Sequence, residues 1–128
     1  MVKQKHIATF LGTGKFLTTI GSHCYHYSGA VDVDNTDLVL TKFTTGKNYI
    51  VAKWYPSYGA ESTDNMRFSI YFNGVQITRT TLDSRVVGNP FQWNPLLIPP
   101  LTEVEIVCTN KSTDTPVQMY STIIGKII

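Results

Sequence analysis

Few stretches of this 128-residue chain carry the side chains that chemistry needs. The densest is Ser22-His23-Cys24-Tyr25-His26. His23, Cys24 and His26, with His6 added, are the residue types that bind zinc. In an extended strand, however, Cys24 and His26 share one face and His23 takes the other, which splits the set. A Cys–His nucleophile pair would also need an orienting third group, and none can be named. An ordinary strand with mixed faces is the simpler assignment.

The run Asp32-Val33-Asp34-Asn35-Thr36-Asp37 has the acidity of a calcium loop. It lacks the central glycine and distal glutamate of the helix-flanked pattern, so an Asp-Asn turn between strands is expected. Glu103 and Glu105 fall on one strand face, the residue types of a glycosidase pair. Solvated strand faces carry such pairs routinely, and no cleft is implied. Gly12-Thr13-Gly14-Lys15 is too short for a phosphate loop. No catalytic residue, metal site or cofactor is therefore assigned, and the chain is expected not to be an enzyme.

Aromatic residues crowd two segments, the Pro- and Gly-bearing 54–59 and the Pro-bearing 89–95. Trp54 is expected to pack inward with Ile50 and Ala52. Tyr55, Tyr58, Phe91 and Trp93 are the candidates for a surface that meets a protein or a sugar, because aromatic rings combine an apolar body with geometric selectivity.

The elements behind these residues are strands. Thr, Val, Ile, Tyr and Phe abound, Ala is scarce, and no window sustains a helical apolar period. Gly, Pro and Asn punctuation recurs throughout, which points to an all-β fold. Strands are expected near 4–11, 15–20, 22–28, 37–43 and 48–55. Residues 66–80 form a hairpin, because Asn73-Gly74 suits a type I′ turn with positive φ at both central positions. That turn sets Phe72 opposite Val75 and Ile70 opposite Ile77, with Met66 and Phe68 on the same apolar face. Pro99 and Pro100 make a stiff entry to residues 102–109, where Val104, Ile106 and Cys108 alternate with Glu103 and Glu105. Residues 117–127 are expected to return as the antiparallel partner of 102–109. The total, about eight to ten strands, fits a single antiparallel β-sandwich of jelly-roll type. Residues 1–11 are a strand of that sheet or an arm that adds to a neighbour's edge.

Composition narrows function further. Charged residues are 16% of the chain, against about 25% in a typical domain. The formal net charge of +2 does not argue for nucleic acid. No apolar run approaches the ~18 residues of a membrane span, and the N-terminus lacks the pattern of a signal peptide. Two cysteines are too few for a disulfide scaffold. Reduced core thiols are the default, and a Cys24–Cys108 bridge would need a proximity that sequence does not supply.

The stretch NPLLIPPLTEVEIVCTNKSTD, followed by a last strand ending STIIGKII, resembles the C-terminal part of small β-sandwich virion proteins of tailed bacteriophages, the capsid decoration (cement) and jelly-roll capsid-associated proteins. The shared pattern is an apolar-Pro-Pro entry, an alternating strand, an Asn-bearing turn and an apolar-Gly-basic final strand. It covers the last third of the chain and transfers no site residue. The resemblance implies a noncatalytic structural protein located in the virion and assembled in the host cytoplasm. Its partners would be the major capsid protein or other virion proteins, often through a homo-oligomer. A carbohydrate-binding, lectin-like module is the alternative, with a glycan as ligand.

Overall fold

The computed structural model describes residues 17–58, 65–83, 94–110 and 117–128. They form ten strands: β1 (Thr18–Ile20), β2 (His23–Tyr27), β3 (Val31–Val33), β4 (Leu38–Thr44), β5 (Ile50–Tyr58), β6 (Asn65–Phe72), β7 (Val75–Asp83), β8 (Asn94–Ile98), β9 (Glu103–Asn110) and β10 (Val117–Ile127). Two antiparallel sheets pack as a sandwich. One runs β1-β2-β10-β5-β8 with β3 also on β10, and the other runs β4-β9-β6-β7.

The pairings nest. From the Asn73-Gly74 tip outward, β6 pairs with β7, β5 with β8, β4 with β9 and β2 with β10. The described strands thus form one long two-stranded ribbon, rolled so that β5 also meets β10 and β6 also meets β9. This winding is the jelly roll, and it joins the expected fold class to a specific topology.

The winding corrects one expectation. Residues 102–109 and 117–127 are not partners. β9 lies between β4 and β6, and β10 lies in the opposite sheet. Both strands bury alternate residues in the same core, so each looks like half of a hairpin. In a rolled ribbon their partners are instead the strands laid down earlier.

The tip holds the expected turn, with φ of 51° at Asn73 and 81° at Gly74. Phe72 opposes Val75, but a bulge follows, and Ile70 opposes Thr78 rather than Ile77. One extra residue shifts every later side chain relative to its partner. Met66, Phe68 and Ile70 are fully buried, whereas Val75 and Ile77 are exposed. The expected apolar face therefore holds for β6 and fails for β7.

Two further strands were hidden in the sequence. Residues 31–33 belong to β3, in a segment expected to be turn, and β8 occupies the apolar run before the prolines. The expected strand at 4–11, and the arm at 1–11, lie outside the described residues.

Pro99 and Pro100 have a definite task. They carry the ribbon around a corner, from β8 in one sheet to β9 in the other. The companion corner is Thr45-Gly46, between β4 and β5, and hydrogen bonds stitch the two together. Thr45 N–H donates to the Thr102 carbonyl at 2.9 Å, and Leu101 N–H to the Gly46 carbonyl at 2.7 Å. The Thr45 hydroxyl donates to the Pro99 carbonyl and accepts from Thr102 N–H, both at 2.9 Å. Leu101 takes a left-handed φ of 52° to complete the bend, a conformation that costs energy for a residue with a Cβ.

The core between the sheets includes Leu40, Phe43, Trp54, Met66, Phe68, Ile70, Ile98, Val104, Ile106, Met119 and Ile123. Trp54 and Phe68 meet across it edge to face, with centroids 6.0 Å apart. The indole N–H is satisfied by the Ser121 hydroxyl at 3.0 Å. Ser121 is tied in turn to Ser28, whose hydroxyl accepts the Ser121 N–H at 2.8 Å and whose own N–H donates to the Ser121 carbonyl at 2.9 Å. The buried polar groups of Trp54, Ser121 and Ser28 are thereby paired, as burial requires.

Candidate functional site

The strand alternation of β2 decides the fate of three of the metal-ligand candidates, and the fourth, His6, lies outside the described residues. Cys24 and His26 face the core and are buried, and His23 faces solvent. The His26 ring packs on Phe43 at 5.4 Å. Among the described residues, no group of three or more His, Cys, Asp or Glu side chains is placed to hold a metal ion. Cys24 and Cys108 are both free thiols. Burial raises the pKa of each; at Cys108 it reaches about 12, with the Asp37 carboxylate adding repulsion. Such thiols are core side chains rather than nucleophiles.

Three of the described acidic side chains, Asp34, Asp37 and Glu105, are engaged in structure. Asp34 accepts the Thr36 N–H at 2.9 Å, closing an Asx turn. The Thr109 hydroxyl donates to Asp37. Glu105 pairs with Lys42 across β9 and β4 at 3.7 Å. The Glu103 N–H donates to the Asn73 side-chain oxygen at 2.8 Å, tying β9 to the ribbon tip. A cleft of about 250 Å³ opens at one end of the sandwich, beside Leu17, Thr19, Lys47, Asn48 and Ile127. Its described lining holds no carboxylate, thiol or imidazole.

What remains is the outer face of the six-stranded sheet. Register sets its side chains in rows. One row crosses Ile20, His23, Lys126, Val51 and Leu97. The next crosses Thr18, Tyr25, Ile124, Lys53 and Pro95. A third sets Tyr27 and Tyr55 on either side of Thr122. Tyr25 and Tyr27 hold their ring centroids 4.9 Å apart. The aliphatic side chains are well exposed: Ile20 67%, Leu97 56%, Val51 51% and Ile124 45%. Single exposed aliphatics are unremarkable; Val51 and Leu97 are neighbours across β5 and β8.

Charge distinguishes this face from the opposite one. β1, β2, β5, β8 and β10 carry Lys53 and Lys126 and no Asp or Glu; Asp32 on β3 is the carboxylate of this sheet among the described residues. The other sheet mixes Lys42, Arg67 and Arg79 with Glu103 and Glu105, the pattern of a solvated surface.

Of the aromatic candidates, Tyr55 lies on the outer face of the six-stranded sheet. Tyr58, near the end of β5, is half-buried and packs against the core. Phe91 and Trp93 lie outside the described residues. Tyr25 and Tyr27 are the residues that sequence reasoning missed. Their signal was the period-two pattern of His23-Cys24-Tyr25-His26-Tyr27, which places Tyr25 and Tyr27 beside His23.

No protein-family model matches the chain. No curated protein matches it either. Among solved structures, it is similar to part of dimeric latent PorU from Porphyromonas gingivalis, at 15% identity and a TM-score of 0.44, over 80% of this chain and 11% of that one. It is also similar to part of the insecticidal delta-endotoxin Cry8Ea1 from Bacillus thuringiensis, at 7% identity and a TM-score of 0.40, over 91% of this chain and 20% of that one. The chain thus spans a small fraction of either protein's length.

Proposed function

We propose that this chain is a noncatalytic structural protein of a virion, a capsid decoration or minor jelly-roll capsid component. In this proposal it holds to the major capsid protein or another virion protein through the outer face of its six-stranded sheet. The observation that carries the contact role is that face itself: Val51 and Leu97 are exposed side by side, Ile124 is exposed on the strand next to Val51, Ile20 is exposed at the far flank, and Tyr25, Tyr27 and Tyr55 lie on the same face. Among the described residues, Cys24, Cys108 and His26 are buried, and Asp34, Asp37 and Glu105 make structural bonds, which supports a contact role over a catalytic one. A jelly roll hosts many functions, so the virion assignment leans on the resemblance of residues 94–128. Mass spectrometry of purified particles tests it; absence of the chain from particles overturns it.

The paired Tyr25 and Tyr27 rings favour a second reading, a glycan-binding surface, since adjacent rings on a flat sheet can stack sugars. A glycan array run with and without calcium separates the two. Binding that Tyr27→Ala abolishes supports the sugar, and silence on the array removes it.

A further inference from the structure

We infer that Asn73 is a modification site: its side-chain amide is lost to water by spontaneous deamidation, and the folded ribbon tip holds that reaction in check until the tip parts from β9.

The dipeptide supplies the chemistry. Asn73 is the asparagine of this chain that glycine follows. Gly74 has no side chain to crowd its backbone nitrogen, so that nitrogen reaches the Asn73 Cγ wherever the segment is free to turn. The steps balance with water as the co-reactant. The Gly74 nitrogen bonds to Cγ, and its proton passes through water to the leaving Nδ2. The Cγ–Nδ2 bond breaks, and ammonia departs. Water then opens the five-membered imide at either carbonyl, which leaves an aspartate or an isoaspartate at position 73. Asn73 and Gly74 are both exposed, so water has access to them.

Geometry supplies the restraint. Asn73 holds a left-handed φ of 51° where the hairpin tip touches β9. Phe72 is paired with Val104, and Asn73 continues that ladder toward Glu103. The Asn73 N–H donates to the Glu103 carbonyl at 2.9 Å. The Asn73 side-chain oxygen accepts the Glu103 N–H at 2.8 Å. A side-chain carbonyl thus stands where the ladder would otherwise use a backbone carbonyl. These bonds to one residue fix both the backbone and the side chain that ring closure must rotate. To bring Cγ onto the Gly74 nitrogen, the side-chain oxygen has to leave Glu103 and the turn has to change its dihedral angles. The reaction therefore runs through molecules whose tip has opened locally, a minor fraction of the native population.

The products do not fit the tip equally. An isoaspartate routes the main chain through its own side chain and lengthens it, which a two-residue turn cannot absorb without loss of register. An aspartate keeps the acceptor but sets a carboxylate across the ladder from Glu103, a like-charge pair. Isoaspartate formation turns a transient opening of the tip into a lasting one.

The test is peptide mapping by mass spectrometry of the intact chain after incubation at mildly alkaline pH, with deamidation at Asn73 followed in time. The native chain should react at least about tenfold more slowly than the same chain unfolded in urea, because only the opened fraction reacts. Equal or faster reaction in the native chain overturns the inference.

Two variants locate the restraint. Glu103→Pro removes the N–H that the Asn73 side chain accepts, and Glu103 is the first residue of β9, a strand position that tolerates proline. Gly125→Ala crowds β10 against β5, away from the tip. With a cooperative thermal transition kept in each, Glu103→Pro should deamidate at Asn73 several-fold faster than the wild-type chain, and Gly125→Ala at the wild-type rate. No acceleration in Glu103→Pro, or an equal one in Gly125→Ala, assigns the protection to global stability and overturns the inference. Should Glu103→Pro not fold, the native-to-urea ratio and the Gly125→Ala rate decide, and faster reaction in Gly125→Ala overturns it.

Discussion

Thr45 and Thr102 hold each other by two hydrogen bonds of 2.9 Å, Thr45 N–H to the Thr102 carbonyl and Thr102 N–H to the Thr45 hydroxyl. They stand at paired corners of the ribbon, and both are buried. Thr45→Val keeps the shape and removes the hydroxyl, which leaves the Thr102 N–H and the Pro99 carbonyl without their partner. The expected loss is about 1–3 kcal/mol, the cost of unsatisfied buried polar groups. A urea titration should show a lower midpoint at unchanged slope; an unchanged midpoint would show that the corner does not depend on this hydroxyl.

Gly125 is required by close approach rather than by a turn. A Cβ at this position would sit 2.9 Å from the Val51 carbonyl oxygen and 3.0 Å from Ala52 Cβ and Ile50 Cγ2. The nearest atom is backbone, so relief means moving β5 away from β10. Gly125→Ala should therefore destabilise by about 1–3 kcal/mol, as overpacking does. A surface glycine with open space around it, Gly46, is the control. If Gly46→Ala costs as much in the same denaturation experiment, the contact at Gly125 is not the cause.

The Trp54–Ser121 bond links two strands of the six-stranded sheet beneath the core. Trp54→Phe and Ser121→Ala each remove one partner. Their combined cost should fall short of the sum by about 0.5–3 kcal/mol, the range for residues in one hydrogen-bond network. Strict additivity in a double-mutant cycle would mean that the bond contributes nothing of its own.

The corner, Gly125 and the Trp54 anchor differ in how far they could be seen from sequence. Local chemistry was visible: Asn73-Gly74 demanded positive φ, and alternation placed Trp54, Val104, Ile106 and Cys108 inward. Winding was not visible, because β9 and β10 each alternate as a hairpin strand would. Only non-local packing sends Cys108 and Ile123 into opposite walls of one core. The bulge that exposes Ile77 is likewise a choice of register, which hydrophobic pattern alone did not report. Tyr25 and Tyr27 were within reach of the period-two rule that separated His23 from Cys24.

Stability should fall in alkali. The Cys108 thiol is raised from 9.0 to about 12, first by burial and then by Asp37, and Cys24 is raised by burial. Above pH 9 the unfolded chain sheds these protons while the native state keeps them. The native state then binds more protons, and stability declines as pH rises from about 9 toward 12, by at most about 1.4 kcal/mol per unit for each thiol. Cys108→Ala should flatten that decline, and the check is a series of denaturation midpoints across the interval. A wild-type slope that survives in Cys108→Ala would assign the alkaline loss to other groups.

The rolled ribbon also sets an order in time. Its tip joins residues that are neighbours in the chain, and its outermost pair joins His23 to Lys126, almost the whole described length apart. Closing long loops costs more entropy than closing short ones. Contacts at such separation slow a fold toward the millisecond-to-second range. The tip should therefore assemble early and the β2–β10 seam late. Gly74→Ala would then slow refolding, whereas Gly125→Ala would chiefly speed unfolding. The seam that forms last is also the centre of the proposed contact face, so the surface offered to a partner would exist only once winding is complete.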